Sequence, residues 1–581
     1  MRHLLKLLPY LKRYRFGIAA GLLYALLTNA FDAFVPWIIG RIVDAIGWHL
    51  SMDIITPIIG LFMVIVLLEG ILRFQMRRTL IYISRYLEYD LRNGLFNHLQ
   101  SLSASYFNRV RTGEIMSRAT NDLSQVRMVL GPGIMYSFNT VVVFVFVLTM
   151  MIGISPSLTA ITLIPLPLLF FIILISARVL HKRFTDVQER LADMTTFVQE
   201  NVSGIRVVKG HCRESSEIRK FLGKSDSLRY ANISAAAIYG GLMPMMMTTA
   251  GISSVLILFF GGGMVISGEI SFGDLVAFFA YLGMLLWPTM ALGWVISLFQ
   301  RGSASMKRIN EIMDEEPEIA DPPEPVAPER IEGGIAFSDV SFSYGGGNVL
   351  HDIELEIKPG QTVAVVGPTG SGKSTLLQLV PRIYDPTAGL VAVDGVDLRK
   401  MSLGSLRGAI GYVPQETFLF SETIAENIAF GAHGEELGEE EILQAASAGR
   451  IAAEVEAFPR GYETVLGERG ITLSGGQKQR TAIARALAGD PKILLLDDCL
   501  SAVDASTERE ILKSLREELK GRTALIVSHR MSSIMDADQI VVLEDGRITE
   551  RGTHAELIET GGLYAQLWHK QQLSDELARA Q

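Results

Sequence analysis

The feature that most constrains this chain is a set of six apolar segments, each long enough to cross a lipid bilayer. A spanning helix needs about 20 mostly apolar residues, and candidates lie near 16–40, 54–75, 130–153, 157–179, 241–265 and 272–297. The third, GIMYSFNTVVVFVFVLTMMIGI, and the fourth, LTAITLIPLPLLFFIILISA, contain no charged residue, whereas Asp32 and Asp274 interrupt the first and sixth. These runs are confined to residues 16–300; the remainder reads as an ordinary soluble domain. At 581 residues the chain also exceeds a single compact core.

The connections between the segments alternate in charge. Those after the first, third and fifth carry the stretches GWHLSMD, SPS and SGEIS, which hold no Lys or Arg. Those after the second and fourth carry Arg77, Arg78, Arg85, Arg92, Arg109, Arg111 and Arg118, then Lys182, Arg183, Arg206, Lys209, Arg213 and Lys220. Positive residues stay on the cytoplasmic side, which places both termini and both long connections inside. Helical periodicity in the long connections extends the membrane helices into the cytoplasm. The N-terminal MRHLLKLLPYLKRYR is not a cleavable signal, because Lys6, Pro9 and Lys12 break it. Leu4, Leu7, Leu8 and Leu11 recur at helical spacing beside basic residues, so 1–15 reads as an amphipathic helix on the inner membrane surface.

Acidic residues and prolines in DEEPEIADPPEPVAPER exclude a packed helix or central strand. The expected organisation is a membrane domain over 16–310, a linker over 311–332, a soluble domain over 333–570 and a tail over 571–581. A net charge of −9 argues against nucleic acid as a partner. Cys212 and Cys499, far apart, make no disulfide framework.

In the soluble part, IAFSDVSFSY and ELEIKPGQTVAVVG read as strands. The second leads into Gly367-Pro368-Thr369-Gly370-Ser371-Gly372-Lys373-Ser374, followed by Thr375 at the start of a helix. This spacing is that of a phosphate-binding loop. Glycines let backbone N–H groups face phosphates, Lys373 reaches the β and γ oxygens, and Ser374 ligates Mg²⁺. A second apolar strand ends in Asp497, the place of an acid that holds the Mg²⁺ shell. Between them stands Leu473-Ser474-Gly475-Gly476-Gln477 before a strong helix.

That LSGGQ segment upstream of the acid-ending strand resembles the signature of the ATP-binding cassette (ABC) family. The resemblance implies roles for further residues. Tyr344 is similar to the aromatic that stacks on adenine, Gln415 to the Q-loop glutamine that also meets the metal, and His529 to the switch histidine. Ser501-Ala502-Val503-Asp504 resembles the D-loop, and VLGERG at 465–470 the exporter loop before the signature. In the membrane half, 107–122 and 200–214 resemble the cytoplasmic coupling segments of six-helix exporters, with Gly113, Glu114, Arg118, Asp122, Lys209, Arg213 and Glu214. The implied fold is an all-α membrane domain of six helices with long cytoplasmic helical extensions, followed by an α/β P-loop NTPase domain of ABC type. ATP and Mg²⁺ are the implied cofactors. A second half-transporter is the implied partner, because each ATP lies between one phosphate loop and the other signature.

One position departs from the family. Asp498 stands where a Glu normally polarises the attacking water. Losing one methylene withdraws the carboxylate by roughly 1.5 Å, and misplacement of that order costs about 10²-fold in rate. With signature and His529 intact, the pattern resembles heterodimeric exporters having one degenerate site. A homodimer that tolerates Asp498 and an ATP-gated channel are the alternatives. The cargo is expected to be hydrophobic or amphipathic. Asp32, Glu69 and Asp274 are intramembrane candidates, Asp32 facing a cationic substrate or another helix. Met246, within MPMMM, and Trp287 suggest an adaptable apolar cavity.

Overall fold

The computed structural model describes the backbone of residues 2–434, 437–467, 470–499 and 505–580. The chain divides into two compact units, one of Met1–Gln100 with Arg111–Glu315 and one of Ser101–Val110 with Glu316–Gln581.

The first unit is helical, as a chain in hydrocarbon must be, because no water is there to satisfy its backbone. Its long helices are α1 (Arg15–Gly47), α2 (Met52–Ser101), α3 (Ile134–Ile154), α4 (Pro165–Ser203), α5 (Glu214–Leu256) and α6 (Phe272–Met313). Among the described residues, five helical stretches are long and apolar enough to cross a membrane: Arg15–Gly47, Met52–Ser101, Thr112–Ile154, Glu214–Ile266 and Phe272–Met313. The fourth expected span, 157–179, falls on the helix Pro156–Leu163 and on α4, where several side chains lie outside the described residues. The 50 residues of α2 make a rod of about 75 Å at 1.5 Å per residue. That is more than twice a hydrocarbon core of about 30 Å, so its polar half extends into water.

Small residues set how closely these helices pack. A Cβ placed on Gly273 of α6 would lie 2.0 Å from the Gly40 carbonyl oxygen of α1 and 2.6 Å from Asp44 Cγ. In this close contact the buried Asp44 accepts the Gly273 N–H at 2.7 Å. Ser271 and Asp274 complete the cap: Ser271 Oγ accepts from the Asp274 N–H, and the Asp274 carboxylate accepts from the Ser271 N–H. The first-turn donors of α6 are thereby satisfied. Asp274 is thus at the start of the sixth helix rather than an interruption within a span. Pro132 is absorbed by a π-helical turn, Val129–Gly133, whose wider ring accommodates a missing N–H.

The second unit contains two sheets. An antiparallel one runs β2 (Asn348–Ile357), β1 (Ile335–Ser343), β4 (Ala388–Val393), β5 (Val396–Asp397). The other runs β10 (Arg547–Gly552), β9 (Gln539–Glu544), β3 (Thr362–Val366), β8 (Thr523–Val527), β7 (Ile493–Asp497), β6 (Ile410–Val413). All its neighbours pair parallel except β9 and β10. Alternate residues of the central strands enter different cores. Val363, Val365, Ile493 and Leu495 belong to one cluster, and Ala364, Val366, Leu494 and Leu496 to the other. Burial on both faces explains why these strands read as unbroken apolar runs. A separate helical core gathers Leu419, Ile424, Ile428, Val455, Leu466 and Leu473.

The Gly40–Gly273 contact carries a prediction. Gly273→Ala overpacks it and should cost about 1–3 kcal/mol, lowering the unfolding midpoint of the detergent-solubilised protein. Gly283→Ala, whose added Cβ meets nothing within 4 Å, should leave the midpoint unchanged or higher.

Candidate functional site

The site begins where β3 ends. Gly367, at φ 152°, lies so close to the next strand that a Cβ would sit 2.0 Å from the Leu543 carbonyl oxygen. Gly372, at φ 98°, turns the chain into helix α7 (Lys373–Leu379), a conformation glycine adopts without steric cost. Pro368, Thr369 and Gly370 form the exposed tip of the loop. The buried Lys373 ammonium donates to the carbonyl oxygens of Gly367 at 2.9 Å and Pro368 at 2.7 Å. Burial pushes its pKa down, against the upward pull of Asp497 and Asp498.

The parallel order β3–β8–β7 brings the distant acidic pair to this loop. Val365 is level with Val527, and Val527 with Asp497. Ser374 Oγ donates to Asp497 Oδ1 at 3.0 Å. Burial raises the Asp497 pKa; the Ser374 bond opposes this, while the Asp498 charge adds to it.

Asp498 stands just past the strand at φ 43°. Its N–H donates to the Val527 carbonyl at 2.8 Å, and its Oδ1 accepts from the His529 N–H at 3.4 Å. A positive φ is uncommon outside glycine and is best tolerated by Asp and Asn. One carboxylate oxygen of Asp498 thus lies within reach of the backbone N–H just past β8. The His529 side chain is exposed, as is Gln415 just past β6.

Tyr344 lies beside the loop helix. Its hydroxyl donates to Gln378 Oε1 at 3.3 Å and accepts from Thr375 Oγ1 at 3.1 Å. Its ring meets Phe342 and Tyr384 edge-on, with centroids 4.7 and 5.3 Å away. Tyr412 is pushed up to about 12 by burial, with the charge of Asp497 adding to the effect.

The signature segment opens helix α8 (Gly475–Ala488). Ser474 Oγ accepts the Gln477 N–H at 3.3 Å, and Gln477 Oε1 accepts the Ser474 N–H at 2.8 Å. This reciprocal cap fixes where the helix starts. Gln477 Nε2 and Arg480 both bind Glu454, at 2.8 and 2.6 Å. Leu473 anchors the turn in the helical core, leaving Ser474 and Gly475 exposed. The D-loop residues Ser501, Ala502, Val503 and Asp504 lie outside the described residues, as do Glu468 and Arg469.

The coupling candidates are divided. Gly113, Glu114, Arg118 and Asp122 fall in the first unit. There Arg308 binds Asp122 through two nitrogens, at 2.5 and 2.8 Å, and Arg118 pairs with Glu114 and Glu311. Lys209, Arg213 and Glu214 are exposed around the start of α5. The segment grouped with the cassette is Ser101–Val110. Asn108 Nδ2 donates to Tyr384 Oη at 2.7 Å, Ser103 Oγ accepts the Ile319 N–H at 2.9 Å, and Glu318 pairs with Arg109 at 3.2 Å. Asn108 falls in the expected coupling segment 107–122 but is not among the residues singled out there, and Tyr384 lies outside every motif. The tyrosine in PRIYD after the loop helix was the available signal.

Of the cargo candidates, Asp32 accepts from Arg73 at 2.6 Å, and Glu69 also pairs with Arg73. Trp287 meets Tyr136, and Met246 is buried in a core cluster.

These residues fit a nucleotide with its metal. Ser371 Oγ is buried in the loop without a hydrogen-bond partner, a donor aimed into a backbone cradle. Ser374 and Asp497 offer two adjacent hard oxygen ligands, as suits Mg²⁺ held by few protein groups and by phosphates. Among the described residues no group of three or more His, Cys, Asp or Glu side chains forms a self-sufficient metal site.

Comparison with known proteins agrees with this arrangement. Residues 18–289 match the ABC transporter transmembrane region, and residues 350–501 match the ABC transporter family model. The chain is 38% identical to a probable multidrug resistance ABC transporter ATP-binding/permease protein, YheI, of Bacillus subtilis, covering 96% of this chain and 95% of the relative. It is 35% identical to an ATP-dependent lipid A-core flippase of Syntrophus aciditrophicus, covering 99% and 95%. The structure of a bacterial Atm1-family ABC exporter with ATP bound matches at a TM-score of 0.78 and 28% identity, covering 96% of this chain and 98% of that one.

The lowered pKa of Lys373 gives a pH prediction. Phosphates favour the ammonium, so affinity is lost once pH rises above the pKa of the free protein. Nucleotide affinity should start to fall at a lower pH than the titration of an ordinary lysine would give. Fluorescent-nucleotide titrations across alkaline pH check this; affinity that stays flat until an ordinary lysine titrates contradicts it.

Proposed function

Because the chain belongs to the ABC transporter family and is a multi-span membrane exporter that couples to ATP, we propose that it moves a hydrophobic or amphipathic compound outward as the degenerate-site half of a heterodimer. In this reading six spans cross the membrane, both termini and the cassette are cytoplasmic, and residues 1–15 lie on the inner surface. Exposed Leu5 and Leu8 support that last placement, as does the Lys6–Asp314 ion pair that ties the segment to the end of α6.

What carries the proposal is the contrast between the Lys373, Ser374 and Asp497 group and Asp498, a carboxylate one methylene shorter than Glu. Lys373, Ser374 and Asp497 are in place to hold phosphate and metal. Ser374 and Asp497 would hold Mg²⁺, which would supply positive charge against that developing on the phosphates. Asp498 is short and hydrogen-bonded to the backbone at His529, which makes it a poor base for the attacking water. Its partner's cassette supplies a signature to this loop, and Ser474, Gly475 and Gly476 complete the partner's competent site. Work then comes from the greater affinity of ATP for the closed pair of cassettes.

The purified chain should bind ATP yet hydrolyse it slowly, and Asp498→Glu should raise turnover by up to about 10²-fold. The gain is partly offset, since Glu is less at ease at positive φ. Rapid hydrolysis by the unmodified chain alone would instead favour a homodimer that tolerates Asp498. ATP-dependent uptake of dyes and lipids into inverted vesicles tests the export reading itself.

A further inference from the structure

A cavity of about 320 Å³ in the first unit is lined by residues from α1, α2, α3 and α6, among them Asp32, Arg73, Arg77, Tyr136 and Trp287. Its charges are balanced in an unusual way. Arg73 holds two carboxylates at once, Asp32 through Nη2 at 2.6 Å and Glu69 through Nε at 2.5 Å. That trio carries one excess negative charge. Arg77, one helical turn further along α2, lines the same cavity and has no ion pair among the described residues. The four groups therefore sum to zero, with Arg73 and Arg77 on successive turns of one helix face.

We propose that this cavity takes the dipolar, net-neutral head group of an amphipathic cargo, its anionic part on Arg77 and its cationic part towards Asp32, whose partner Arg73 is shared with Glu69. The inference rests on the export reading and specifies its substrate class. In low-dielectric surroundings an unbalanced charge is costly. A purely cationic or anionic head leaves one wall uncompensated, whereas a zwitterion finds a partner for each sign. Of the two sequence readings of Asp32, pairing with another helix is the one seen, and Arg77 beside the trio disfavours a simple cation. The volume is at the small end of ligand pockets, which suits a head group and the first part of a tail. Apolar contact is available from Trp287, whose ring lies 5.7 Å from Tyr136, and from Met76, Met135 and Met284, which adapt to varied shapes.

The test uses the full chain in non-ionic detergent without ATP, and three fluorescent single-chain probes with phosphocholine, phosphate or trimethylammonium heads. The phosphocholine probe should bind at least about tenfold more tightly than the others, a difference of ~1.4 kcal/mol. Arg77→Gln should shift preference to the trimethylammonium probe, Asp32→Asn should shift it to the phosphate probe, and Arg77→Lys should keep the original order. Equal binding of all three heads, or an order that neither Arg77→Gln nor Asp32→Asn changes, overturns the proposal. Since binding is read without ATP, such a failure is distinct from failure of export, which vesicle uptake reports.

Discussion

The hydrogen bond between Ser374 and Asp497 joins two parts of the chain separated by 123 positions, and the ATP site depends on it. It exists because β3, β8 and β7 run parallel and side by side, so their carboxyl ends open on the same edge. In such sheets the ligand crevice lies beyond those ends. The loop after β3 supplies backbone donors and Lys373, and the strand two places away supplies the acid. Everything else in the cassette serves this edge. One antiparallel sheet packs Tyr344 against the loop helix, and a separate helical core anchors the signature turn at Leu473, leaving Ser474 and Gly475 exposed.

The membrane unit answers to a different constraint, the need to satisfy every backbone group away from water. Long helices meet it along their length, and their ends need local solutions. At the start of α6, Ser271 and Asp274 cap each other, while Asp44 reaches across from α1 to the Gly273 N–H. The Gly40–Gly273 approach makes that last bond possible. Charge is handled the same way, with Arg73 shared between Asp32 and Glu69. These pairs fix how helices sit together and decide which ionisable groups stay available to a cargo.

The sequence made plain what depends on short, local patterns. The phosphate loop, the acid-ending strand, the signature and the Asp498 departure are each contiguous, and the backbone demands of each are specific to a few residue types. The helical make-up of the membrane half followed from apolar length. What stayed hidden depends on contacts across the fold. Nothing in the chain order pairs Asp32 with Arg73, or Asn108 with Tyr384. Asp274 carries two signals at once: S-x-x-D at 271–274 is a helix-start pattern, and the apolar run after it reads as a span. The positive φ of Asp498 is likewise a property of the folded chain.

The central claim is that this chain's own loop holds ATP but hardly cleaves it. Photolabelling the purified chain with azido-ATP bearing either an α- or a γ-phosphate label, after incubation with Mg²⁺ at working temperature, tests it directly. The account predicts that both labels are retained equally over many minutes. Loss of the γ label while the α label remains would show that Asp498 supports hydrolysis, and would contradict it.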